Sequence, residues 1–271
     1  MRYVCAVTDA IQPQALTQLA AAEVRLAAIL VRPKLVAVAS LATLTALGWI
    51  ALALMVGEAG LAALCRAQPA GSVLDMALLW PMWAAMVLAM MLPTAGPMIL
   101  TYAEIADTAL QRHEPVASPL FLAAGYALVW FGFSLVAAMA QWALARTGLF
   151  AVDRVAGALA GAFMIGAGVY QFSTLKHACL SQCQRPFPFF FANWTNVRGG
   201  VFRLGLRQGL YCLGCCWALM LLMLAVGGMN AVWMAGLGVA MLVEKMATTT
   251  RVSRALGCGL IVAGLAAVVA M

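Results

Sequence analysis

Long apolar runs separated by short polar breaks dominate the chain from residue 35 onward. They cover residues 35–56, 73–100, 119–142, 155–173, 206–227, 230–246 and 253–271. A bilayer core is crossed by about 20 apolar residues in helical form. The pattern therefore predicts an all-α integral membrane protein, a bundle of about seven transmembrane helices. Pro93 and Pro97 fall near the end of the second run and predict kinked or unwound last turns there. Only Gly227, Gly228, Met229 and Asn230 separate the fifth and sixth runs, which predicts a tight antiparallel hairpin. Residues 11–31 differ: Leu16, Leu19, Glu23, Leu26 and Leu30 recur in helical rhythm beside Arg25 and Arg32. They read as a short amphipathic helix at the membrane interface, with a plain soluble helix as the alternative. Two regions follow, an N-terminal segment over 1–34 and a polytopic membrane domain over 35–271.

Composition strengthens this picture. Apolar residues make up 65% of the 271 positions and charged residues 9%, and the mean hydropathy is +0.98. A soluble chain of this length could not cover so much apolar surface. The first 34 residues are too polar, and the following run too long, for a cleavable signal. Net charge is +7, and its placement is more informative than its size. With the N-terminus inside, Arg2, Arg25, Arg32, Lys34, Arg112, Lys176, Arg185, Arg198, Arg203, Arg207, Lys245, Arg251 and Arg254 lie on the cytoplasmic side. Only Arg66, Arg146 and Arg154 lie opposite. The positive-inside rule then predicts N-inside and C-outside. No basic groove with interleaved aromatics suggests a nucleic-acid partner. No internal repeat supports an inverted-repeat transporter. Gly157, Gly161, Ala162 and Gly166 form small-xxx-small patterns that predict close helix packing.

Candidate chemistry collects at one membrane face. The fourth run leaves through YQFSTLKHACLSQCQRP, which holds Tyr170, Lys176, His177, Cys179 and Cys183. The fifth enters through YCLGCCWALM, where Cys212, Cys215 and Cys216 are spaced to share one helical face, continued by Met220 and Met223. The sixth ends with Glu244 and Lys245, at the same depth as the cysteines when rise is counted from the hairpin turn. On the second run Met82, Met86 and Met90 repeat every four residues, so two sulfur stripes could face each other. Soft thiolate and thioether donors select Cu(I), with Zn(II) the second candidate. Methionine stripes also serve as ordinary packing, and His177 reads first as an interfacial residue. Glu244 and Lys245 could either snorkel to the interface or support the thiols. Cys5, Cys65 and Cys258 have no partners in sequence and read as incidental.

The segments WPMWAAMVLAMMLPTAGP, YQFSTLKHACLSQCQRP, GLRQGLYCLGCCWALM and GGMNAVWMAGLGVAMLVEK resemble a bacterial family. It is known as predicted metal-binding integral membrane proteins, and some members are labelled copper chaperones. The resemblance runs from about Leu78 to Lys245. It implies a multi-pass protein of the bacterial inner membrane and a metal, without supplying a mechanism. Where relatives often carry histidine before the glycine ahead of the cysteines, this chain has Gln208.

Three functions compete. One is Cu(I) handling, with Cys212, Cys215, Cys216, Cys179 and Cys183 as candidate ligands and Met86, Met90 and Met220 as softer donors. A metal-delivering or metal-accepting protein would then be the partner, beside the bilayer itself. The second is a membrane thiol oxidoreductase using Cys212 and Cys215; cytosol-facing thiols, which are kept reduced, argue against it. The third is a structural or transport subunit whose cysteines only pack. No GxxxxGK[ST] sequence is present, so ATP-driven export by this chain is not expected.

Overall fold

A computed structural model describes residues 33–57, 73–147, 153–225, 231–247 and 249–269. Its described residues form helices and no strands: α1 (Pro33–Gly57), α2 (Val73–Gln111), α3 (Pro119–Arg146), α4 (Asp153–Tyr170), α5 (Thr174–Gln184), α6 (Pro186–Ala192), α7 (Arg198–Ala225), α8 (Ala231–Met246) and α9 (Arg251–Val269). The amphipathic helix expected over 11–31 lies outside the described residues, as do Cys5, Cys65 and the Gly227–Asn230 turn.

Five described helices, α1, α2, α3, α7 and α9, are long and apolar enough to cross a membrane. A sixth span results if α4 and α5, bent by 66° across their break, count as one. The 16-residue α8 stands outside this set. The second predicted run differs from expectation. Its helix continues unbroken past Pro81, Pro93 and Pro97 to Gln111, a length of about 58 Å at 1.5 Å per residue. Hydroxyls of Thr94 and Thr101 donate to the carbonyls of Met91 and Pro97 around the prolines.

Glycine sets the tightest contacts. A Cβ on Gly205 of α7 would stand 2.1 Å from the Leu122 carbonyl of α3, and one on Gly125 would stand 2.2 Å from the Phe202 carbonyl. Backbone packs on backbone there, which is the use small residues have between membrane helices. The stripe expected on α4 is realised in part. Gly161 and Gly168 lie against the Gly264 and Gly257 carbonyls of α9, whereas Gly166 faces open space. α1 lies along α2, and α3 packs on both α2 and α7. The turn of the expected α7–α8 hairpin lies outside the described residues; among those described, α8 meets α7 through Lys245 and Cys212 and rests more extensively on α2. There Gly238 faces Met90, while α3 and α5 pack on α7.

The two ends of the bundle are marked by polar contacts. Lys34 at the start of α1 pairs with Glu104 near the end of α2 at 2.8 Å. Trp83 donates to Gln141 at 2.7 Å near the other end. Between them the outer surface of α1, α3 and α9 is apolar, with Leu47, Ile50, Leu54, Val136 and Val262 all exposed.

Candidate metal centre

α7 carries the centre on its inner face. Cys212, Cys215 and Cys216, spaced by three and four residues, are at most 1% exposed, and their sulfurs lie within 4.8 Å of one another. Cys215 and Cys216 sulfurs stand 3.2 Å apart, and Cys215 Sγ donates to the Cys212 carbonyl at 3.2 Å. All described cysteines are free thiols. Two sulfurs bound to one ion at about 2.3 Å would stand about 3.8–4.6 Å apart, from tetrahedral to linear geometry. Opening the Cys215–Cys216 contact slightly would bring this set into that range.

Cys212 has the richest surroundings. Lys245 Nζ, from the last turn of α8, lies 2.9 Å from Cys212 Sγ and 2.6 Å from Thr94 Oγ1 of α2. Tyr126 Oη of α3 lies 3.0 Å from Cys212 Sγ and 3.0 Å from the Met91 carbonyl. Thr94 already donates to that carbonyl at 2.7 Å. Tyr126 donates its single proton to the same carbonyl, so Cys212 Sγ stands beside the phenol oxygen and accepts from the Lys245 ammonium. An ammonium donor suits a thiolate. Lys245 and Tyr126 together bridge α2 to α7, which share no extensive backbone contact.

α5 packs on α7 beside the cysteines. Ser173 caps its first turn by accepting from the Lys176 N–H at 3.1 Å. That start places Lys176, Cys179, Leu180 and Cys183 on one face. Cys183 lies within electrostatic reach of the Cys212 and Cys215 thiols, outside the trio whose sulfurs are all within 4.8 Å of one another. Cys179 is placed differently: its Sγ packs on Gly214, where a Cβ would stand only 2.6 Å away. Tyr170 at the end of α4 donates to the Gly214 carbonyl and meets Trp217 edge-on.

Glu244 and Lys245 do not snorkel. Glu244 is 1% exposed and Lys245 6%. Lys176 Nζ lies 2.8 Å from the Glu244 carboxylate, and both side chains are fully enclosed. Gln184 adds bonds from Nε2 to the Glu244 and Ala247 carbonyls at 2.9 and 2.6 Å, which latches α5 to the end of α8. Gln208, one turn before Cys212, is buried and donates to the Gln182 carbonyl at 3.3 Å, leaving its own carbonyl oxygen without a partner.

The thioethers share the buried core with the thiols. Met86, Met90 and Met220 are buried, and Met90 faces Gly238 of α8. Among the described contacts none joins their sulfurs to the cysteines. His177 is half-buried, and no described hydrogen bond ties its ring to the cluster. Tyr126 and Thr94 were not among the sequence candidates. Each is a single polar group in an apolar run, and only the folded packing brings them to residues 86 and 151 positions away.

The centre thus offers three clustered thiols with an enclosed ammonium on Cys212, beside a second enclosed cation, Lys176, that is paired with Glu244. A family model described as copper chaperone (PpoB2) matches residues 80–267. A search of curated proteins and one of solved structures each return no match. The matched stretch is most of the chain and includes every residue of the centre, so the chain belongs to this copper-chaperone family.

Proposed function

From that membership, we propose that the protein is a multi-pass inner-membrane protein that holds Cu(I) on Cys212, Cys215 and Cys216, with Cys183 at the mouth of the site. The observation that carries this is the enclosure of three thiols within 4.8 Å of one another beside the Lys245 ammonium. Sulfur is the donor type that favours Cu(I) over harder ions. Charge supports the same reading. One Cu(I), two thiolates and Lys245 sum to zero, and a neutral set is the least costly to enclose away from water. Zn(II) reaches neutrality with three thiolates, so it is the second metal by charge and the less favoured by family. The metal is cargo in this reading, received from or passed to a protein partner. The five or six long apolar helices and the positive-inside asymmetry support N-inside insertion. α8 would complete seven spans together with its flanking residues. Competition titration tests the proposal: Cu(I) chelators of graded strength are set against the purified protein under anaerobic conditions. Retention of one Cu(I) per chain against a chelator that strips the Cys212/Cys215/Cys216→Ala variant supports it. Equal loss from both contradicts it.

A further inference from the structure

A second site lies where α6 meets the first turns of α7, apart from the thiols. The short α6, sequence PFPFFFA, is started by Pro186 and ends at Asn193. Between it and α7 is a cavity of about 580 Å³ lined by ten residues. Its charged members are Arg203 and Arg207; none of the ten is acidic. The two arginines are four residues apart on α7, hence about 6 Å along one face. Asn193 Oδ1 accepts from Arg207 Nη1 at 2.9 Å, and Asn193 Nδ2 donates to the Phe189 carbonyl at 3.0 Å, so the Arg207 guanidinium is held in place. Arg203 is exposed and has no hydrogen-bond or ion-pair partner among the described residues. The Trp194 wall is fixed from behind, where its ring stacks on Tyr102 at 5.6 Å. Gly200 completes the floor, since a Cβ there would stand 2.4 Å from Thr195 Oγ1.

The surroundings identify the ligand. Phe187, Phe191 and Leu210 are 60%, 83% and 58% exposed, and Trp194 is 40% exposed. Aromatic side chains at this level of a membrane helix sit among lipid headgroups, with apolar groups toward the acyl chains. Two guanidiniums in an acid-free cavity are suited to a phosphate, which arginine can bind in bidentate fashion. Basic pockets between helices on the cytoplasmic side hold anionic headgroups in this manner. We propose that the α6–α7 cavity, through Arg203, Arg207 and Asn193, binds the phosphate of an anionic phospholipid whose acyl chains lie along Leu206, Leu210 and Phe191. The proposal rests on the membrane embedding argued above and is independent of the metal.

Native mass spectrometry of the detergent-purified full chain tests it. Phosphatidylglycerol, phosphatidylcholine and inorganic phosphate are titrated separately, with the Arg203→Gln/Arg207→Gln and Arg146→Gln variants alongside. Both target arginines are exposed, so folding is checked by equal thermal unfolding midpoints. The expected result is preferential retention of phosphatidylglycerol, weakened roughly tenfold or more in the double variant and unchanged in Arg146→Gln. Equal binding by the double variant, or equal binding of the two lipids by the wild type, overturns the proposal. Displacement of bound lipid by millimolar phosphate would assign the site to a free oxyanion and overturn the lipid. The Cys212/Cys215/Cys216→Ala variant should keep its lipid whether or not it has lost a metal, so the two readings fail separately.

Discussion

Lys245 Nζ stands 2.9 Å from Cys212 Sγ, joining the end of α8 to the middle of α7. The contact makes a cation part of a thiol centre, and its consequence is a charge balance that one substitution can shift. Lys245→Met keeps the length of the side chain and removes the charge. A hydrogen bond to a charged group contributes about 1.5–3 kcal/mol, so Cu(I) affinity should fall roughly ten- to hundredfold. Thermal stability should hold, because Cys212 can revert to a neutral thiol and no buried charge is left unpaired. Chelator competition and thermal unfolding in detergent check the two halves separately.

The Lys176–Glu244 pair behaves differently, since both partners are enclosed and each is the other's counter-ion. Lys176→Met leaves a buried carboxylate and should cost about 3–5 kcal/mol of stability. Adding Glu244→Gln should recover much of that loss. Unfolding of the two single variants and the double variant gives the coupling directly.

Cys179 and Cys183 share a face of α5 but not a role. Cys183 lies within electrostatic reach of Cys212 and Cys215, whereas Cys179 fills space over Gly214. Cys183→Ala should therefore weaken metal retention, and Cys179→Ala should leave it unchanged. Equal effects from the two would remove the distinction. The same metal titration applies to both.

Gly205 determines how closely α3 approaches α7, and hence where Tyr126 meets Cys212. A Cβ at 2.1 Å from the Leu122 carbonyl cannot be accommodated in place, so Gly205→Leu should lower the thermal midpoint and the metal affinity together. Gly166 has open space around it. Alanine there should be neutral or stabilising by about 0.5–1 kcal/mol, the usual helix-interior gain over glycine.

Much of this centre could be read from spacing alone. Cys212, Cys215 and Cys216 had to share a face because a helix returns every 3.6 residues, and counting rise from the α7–α8 turn placed Glu244 and Lys245 at their depth. What rise cannot supply is rotation and neighbour choice. Both acidic and basic residues at the end of α8 turn inward, and α8 rests on α2 with Gly238 facing Met90. Tyr126 reads as one more aromatic in an apolar run until Gly125 and Gly205 draw α3 against α7. The period of the methionine stripes is legible in the same way, and Met86, Met90 and Met220 lie in the same buried cluster as Cys212, Cys215 and Cys216.

In the proposed function the YCLGCC segment holds copper. The most direct test is copper and zinc per chain in anaerobically purified protein from copper-supplemented cells, with Cys212/Cys215/Cys216→Ala prepared in parallel. The account predicts about one copper per wild-type chain and none in the variant, consistent with a thiol-only site for a soft ion. Absence of metal from both, or equal metal in both, would contradict it and leave the thiols to exchange chemistry or packing.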